Sequence, residues 1–187
     1  MAETPSYRRI EERRVYQGER VEVYEDAVRF PDGHEGAHTW VRHRGSAARG
    51  VVVIAPDGDG RVLLVRMHRY LFPDASWEFV RGSLDEGETP EQAARRELGE
   101  ETALEAGTVA EIGVLRPDTG IWTTEVSVVV ATVSDATRIE PQHDEGIATA
   151  EFMPLATVWN LVADGEVKDG ITLAALALLA ARERPQG

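Results

Sequence analysis

The stretch Gly82-Ser83-Leu84-Asp85-Glu86-Gly87-Glu88-Thr89-Pro90-Glu91-Gln92-Ala93-Ala94-Arg95-Arg96-Glu97-Leu98-Gly99-Glu100-Glu101-Thr102-Ala103-Leu104 decides how this chain is read. Thr89-Pro90-Glu91-Gln92 is a dense helix-start signal. Thr89 can cap, Pro90 suits the first helical position, and Gln92 can close a capping box. A helix is therefore expected from Thr89 through Glu101, with Ala94, Leu98 and also Ala93 toward the core. Glu97 and Glu101, four residues apart, share a face, and Glu100 borders it. Each like-charged pair costs about 0.2–0.5 kcal/mol in an isolated helix. The helix dipole disfavours acids at this C-terminal end, and Gly99 costs about 1 kcal/mol relative to alanine. Local conflicts concentrated in one turn often mark functional sites. A hard cation such as Mg²⁺ resolves the repulsion, because it takes oxygen ligands, keeps several waters and bridges carboxylates to phosphate. Spacing alone leaves a second reading open, a solvated acidic face balanced by Arg95 and Arg96.

Working outward, the front of the chain reads as short alternating strands at Arg14–Tyr16, Val21–Tyr24, Ala27–Phe30 and His38–His43, with a turn at Pro31-Asp32-Gly33. They predict a small antiparallel sheet over residues 1–45, ahead of a main domain over 46–187. Gly50–Ala55 is a continuous apolar run, as in a strand buried on both faces. Pro56-Asp57-Gly58-Asp59-Gly60 turns the chain into a returning strand, Arg61–Arg66. Further strands are expected at Trp77–Val80, Glu111–Leu115, Glu125–Val133 and Ala148–Met153. Helices are expected at Leu155–Ala163 and Ile171–Arg184. Strands and helices do not alternate regularly, so the fold class is α+β, a mixed sheet flanked by helices.

The 187 residues carry a net charge of −13 and no cysteine. Disulfides and thiolate chemistry are excluded, and a reducing cytoplasm is the natural home. General nucleic-acid binders are more often basic. Ile171–Ala181 is too short to span a bilayer, and no signal-peptide pattern is visible at the front. A soluble, cytoplasmic protein is expected.

Gly82, Glu88, then Arg96-Glu97-Leu98-Gly99-Glu100-Glu101 and Leu104 resemble the Nudix box at its fixed intervals, departing only at Ala103, where the family usually has glycine. Alanine there implies either a mildly strained helix end or a helix that ends nearer Gly107. The resemblance implies a Nudix-like α/β/α sandwich and a metal-dependent hydrolase of nucleoside diphosphates linked to another moiety. It implies that Glu97 and Glu101 bind Mg²⁺ or Mn²⁺, with Glu100 a further ligand or water orienter and the Arg81 carbonyl completing the site. Glu88 and Arg96 would form a structural ion pair beside Gly82.

Over most of the chain the sequence is similar to the subgroup that includes ADP-ribose pyrophosphatases. The segments concerned are Val62–Tyr70, Trp77-Glu78-Phe79, Arg116–Gly120 and Val167–Thr172. This resemblance implies that Arg69 contacts substrate phosphate, that Glu78 touches substrate or a nearby water, and that Pro117 is the proline downstream of the box. Glu145, in His143-Asp144-Glu145-Gly146-Ile147, would be general base or extra metal ligand. Tyr24, Phe30 and Trp40 are open candidates for stacking on the base. The expected substrate is a nucleoside diphosphate sugar, foremost ADP-ribose, cleaved to AMP and ribose 5-phosphate. Another nucleoside diphosphate derivative, or a non-catalytic nucleotide sensor, is the alternative. The subgroup also implies a homodimer paired through the front sheet.

Overall fold

A computed structural model describes residues 6–133 and 139–183. The front of the chain forms four strands, β1 (Arg8–Glu11), β2 (Arg14–Gln17), β3 (Val21–Arg29) and β4 (Glu35–His43). All pair antiparallel with β3. Where two strands are expected over Val21–Tyr24 and Ala27–Phe30, there is one. Glu25 and Asp26 simply continue the alternation, so Glu22, Tyr24, Asp26 and Val28 all face inward. Strand β1 is not expected from the sequence, because its side chains are all exposed and leave no period to read. Glu22 and Asp26 are buried but paired. Glu22 meets Arg14 and Arg42 at 2.6 Å each. Asp26 meets Arg9 at 2.9 Å and accepts the Trp40 indole N–H at 2.8 Å.

The rest of the chain forms β5 (Arg49–Ile54), β6 (Val62–Met67), β7 (Ser76–Glu78), β8 (Val80–Ser83), α1 (Pro90–Thr102), β9 (Ala106–Leu115), β10 (Glu125–Val133), β11 (Ile147–Met153), α2 (Leu155–Ala163) and α3 (Gly170–Glu183). One sheet runs β8-β5-β10-β9 and a second runs β11-β6-β7. Among the described strands only β5 and β10 pair in parallel, so the architecture is mixed. Alternation on β5 and β6 builds two cores. Val51, Val53, Leu63 and Val65 pack with Ala93, Ala94 and Leu98 of α1. Val52, Ile54 and Leu64 pack with Val158 of α2 and with Ala175 and Leu176 of α3. The product is an α/β/α sandwich. Helix α3 is described to Glu183, and the expected end at Arg184 lies outside the described residues.

The strand expected at Trp77–Val80 is two strands in two sheets, broken at Phe79. Phe79 is fully buried and its N–H donates to Thr172 Oγ at 3.1 Å. The start of α3 thereby pulls the chain from one sheet to the other. The front sheet joins the main body through β4. Val41 N–H donates to Ile121 O at 2.7 Å, Thr123 N–H donates to Val41 O at 3.2 Å, and His43 stacks on Trp122 at 4.9 Å. Among the described residues no helix is long and apolar enough to cross a membrane.

Candidate active site

Helix α1 begins as its sequence requires. Thr89 Oγ accepts the Gln92 N–H at 3.3 Å, and the Gln92 side chain accepts the Thr89 N–H at 2.9 Å. Its far end carries Ala103 in the left-handed region, φ 59°, with its N–H on Gly99 O at 2.9 Å. The helix therefore ends where the motif glycine would end it, and alanine bears the strain, roughly 1–2 kcal/mol.

The loop before the helix is held by Arg96. Its guanidinium grips both Glu88 oxygens at 2.9 Å and donates to Ser83 O at 2.8 Å. It also reaches Glu97 at 2.8 Å and Glu100 at 2.9 Å. Such a hub fixes the acidic turn against the loop. Glu100 stays half exposed, on the rim. Glu97 and Glu101 turn inward. The Glu97 carboxylate lies directly on Gly82, so that any Cβ at position 82 would overlap it.

Glu101 is 2% exposed, and its Oε2 is buried without a hydrogen-bond partner. Burial pushes its carboxyl up to about 8, with Glu97 and Glu145 adding repulsion, and an Arg81 backbone hydrogen bond and the Arg69 charge opposing the rise. Burial raises Glu97 as well, against the pull of Arg96, with Glu100 and Glu145 repelling it further. Buried, mutually repelling carboxylates with an orphaned oxygen are the donor set that a divalent cation satisfies. Among the described residues no group of three or more acidic or imidazole side chains is close enough together to hold a metal ion by itself.

Glu145 ends a short 3-10 turn, His143–Glu145. Backbone bonds from Glu140 N to Thr102 O and from Gln142 N to Glu101 O tie the preceding loop to the end of α1, at 3.0 and 3.1 Å. On its other side His68 N–H donates to Gly146 O at 2.9 Å. Gly146 has φ 88°, and a Cβ there would stand 2.8 Å from His68 O. Glu145 is thus strapped between the acidic helix and the Arg69 loop, exposed, and close enough for its charge to act on both buried glutamates.

Arg69 and Glu78 are brought together. Arg69 Nη2 donates to Glu78 Oε2 at 2.6 Å, and Glu78 is 2% exposed, so it is not a solvated strand residue. Arg69, Arg81, Gly82 and Pro117 line one cleft of about 370 Å³, with His43 and Trp122 at its edge. Tyr24 is buried and stacked on Trp40 at 4.2 Å, which removes it as an open base platform. Three participants were absent from the sequence reading as side chains. Asp169 binds the Arg81 guanidinium at 3.3 Å, and Asp169 Oδ2 accepts both N–H and O–H of Thr172 at 2.8 Å. Asp169 and Thr172 stand three residues apart just before an apolar run, a helix-cap spacing that could have flagged them.

The sequence matches the NUDIX domain family over residues 46–176. It is 32% identical over 151 residues to an ADP-ribose pyrophosphatase of Mycobacterium tuberculosis, spanning 80% of this chain and 71% of the relative. It is 29% identical over 180 residues to an ADP-ribose pyrophosphatase of Bacillus subtilis, spanning 95% and 94%. Among solved structures, a protein described as an ADP compounds hydrolase superposes with a TM-score of 0.78 over 97% of this chain and 96% of that one, at 21% identity.

Proposed function

Because the chain belongs to the NUDIX domain family, we propose that it hydrolyses the pyrophosphate link of a nucleoside diphosphate sugar, foremost ADP-ribose, giving AMP and ribose 5-phosphate. The observation that carries this reading is the orphaned oxygen of Glu101 beside Glu97, next to Arg81 and Gly82, which line a cleft together with Arg49 and Arg69. Resemblance to two ADP-ribose pyrophosphatases supports the choice of substrate.

Glu97 and Glu101, with the Arg81 backbone, would hold Mg²⁺ or Mn²⁺, and Glu100 would contribute from the rim. When bound, a divalent cation supplies charge neutralisation at phosphate oxygens and a lowered pKa for the attacking water. The protein's own groups do the rest. Arg69 offers the donors not spent on Glu78 to a phosphate oxygen. Glu78, buried and anionic, keeps that guanidinium aimed at the cleft. Glu145 takes the proton from the attacking water on a carboxylate oxygen. Its position between α1 and His68 puts it beside the acids. Arg96 holds Glu97 and Glu100 in place. A net charge of −13 is then compatible with an anionic substrate, since the cations supply the opposite sign.

A panel of nucleotide sugars, dinucleoside polyphosphates and oxidised nucleotides tests the reading, with Mg²⁺ and with Mn²⁺ and with products identified. ADP-ribose is expected to have the highest kcat/KM. Turnover of ADP-ribose no faster than of its competitors would refute that substrate.

A further inference from the structure

Arg81 enters the site twice. Its backbone touches Glu101, and its side chain stands in the cleft. Arg81 Nε meets Glu78 Oε2 at 3.3 Å, the same oxygen that Arg69 Nη2 reaches at 2.6 Å. Two guanidinium groups therefore converge on one buried carboxylate. Arg81 Nη2 is held from behind by Asp169 Oδ1 at 3.3 Å. Asp169 is fixed in turn by the first turn of α3, through the Thr172 N–H and O–H.

An arginine carries five N–H donors. Among the described residues Arg81 spends two of them on protein, both in long contacts. Its side chain is 26% exposed and that of Arg69 33%. Both line the cleft beside Gly82, and both also line an adjoining cavity of about 200 Å³ that Lys168 borders. Glu78 and Asp169 hold the two guanidinium groups at the wall of these cavities, and the contacts to protein leave other N–H donors of Arg81 for a ligand. A structural ion pair alone would not require two forks sharing one oxygen at the wall of a cleft.

We infer that the Arg81 side chain is a second anion-binding group of this cleft, acting beside Arg69 on a substrate with two linked phosphates, and that Asp169 is the residue that positions it. The inference deepens the hydrolase reading and rests on it for the identity of the substrate. It also predicts selectivity: substrates with two adjacent phosphates engage both forks, whereas a lone phosphomonoester engages one.

The test is calorimetric titration with inorganic pyrophosphate in the presence of Mg²⁺, for the wild type and for Arg81→Gln, Arg81→Lys and Asp169→Asn. Arg81→Gln is expected to weaken pyrophosphate binding about tenfold, the loss of a charge-assisted hydrogen bond, while weakening orthophosphate binding much less. Arg81→Lys should recover part of the loss, since it restores the charge without the fork. Asp169→Asn retains a capping side chain for α3, so its melting temperature should hold while pyrophosphate affinity falls. In turnover, Arg81→Gln should raise KM about tenfold and leave kcat within about threefold. Wild-type pyrophosphate affinity in both Arg81 variants would overturn the inference, as would an equal loss for orthophosphate. A wild type that binds pyrophosphate but hydrolyses no nucleotide would overturn the hydrolase reading instead, and the binding comparison would still decide Arg81.

Discussion

In the proposed metal site, Gly82 is what gives the Glu97 carboxylate its room. A hydrogen in place of a side chain lets the Glu97 carboxylate lie on the strand backbone beside Glu101. In Gly82→Ala the methyl group must displace that carboxylate. Because the obstacle is the mobile end of a side chain, the fold should survive and the site should not. Metal affinity is expected to fall about 10- to 100-fold, with little change in melting temperature, and calorimetry with Mn²⁺ reads it. An unchanged affinity would place Glu97 outside the metal site. At this scale the motif was legible, since its glutamates and their spacing are local. The burial of Glu78 was not, because the chain breaks between two sheets at Phe79, and what brings Arg81, three residues on, and Arg69, nine residues back, onto one Glu78 oxygen is tertiary packing.

Among the elements, α1 was readable nearly to the residue. Its cap, its proline and its apolar face all lie within the helix or one residue before it. The β7–β8 break at Phe79 was not readable, because its cause, Thr172, lies 93 residues away. The front sheet presents a different problem. On its inward face, buried acids gripped by arginines alternate with Tyr24 and Val28. Arg42 foremost, with Arg14 and Tyr24, lowers the Glu22 carboxyl from 4.5 to about 2 against the opposing effect of burial. A carboxyl lowered by folding stabilises the fold above its unfolded pKa, and that stability is lost as pH falls through the folded value. The difference in melting temperature between wild type and Glu22→Gln should therefore be largest above pH 4.5 and close as pH drops to about 2. A difference that stays constant across that window would contradict the pairing.

For the whole molecule, the front sheet is the part least explained by a single chain. Strands β1 and β2 are exposed throughout, and Tyr7, Ile10, Val15 and Tyr16 present large apolar groups to solvent. Exposed edges of this kind are a liability unless covered. A homodimer paired through this sheet is the proposed solution, and light scattering at working concentration should give twice the chain mass of 20.6 kDa. A monomer would contradict it. The main body differs in that helices pack on both faces of its sheets, although Tyr70, Leu71 and Phe72 stand exposed there too. Apolar periodicity made that sandwich legible in advance, and alternation also marked β2, β3 and β4 of the front sheet, but not the exposed β1 or the burial of Glu22 and Asp26.

The central claim is that the inward turn of α1 serves a cation in pyrophosphate hydrolysis, and Glu101→Gln tests it most directly. With its carboxyl raised to about 8, Glu101 carries a proton at neutral pH when no cation is present, and glutamine imitates that state. The variant should therefore fold as stably as the wild type at pH 7. Its AMP release from ADP-ribose at matched Mg²⁺ should fall at least about 100-fold. Near-normal AMP release from a stably folded Glu101→Gln protein would contradict the account.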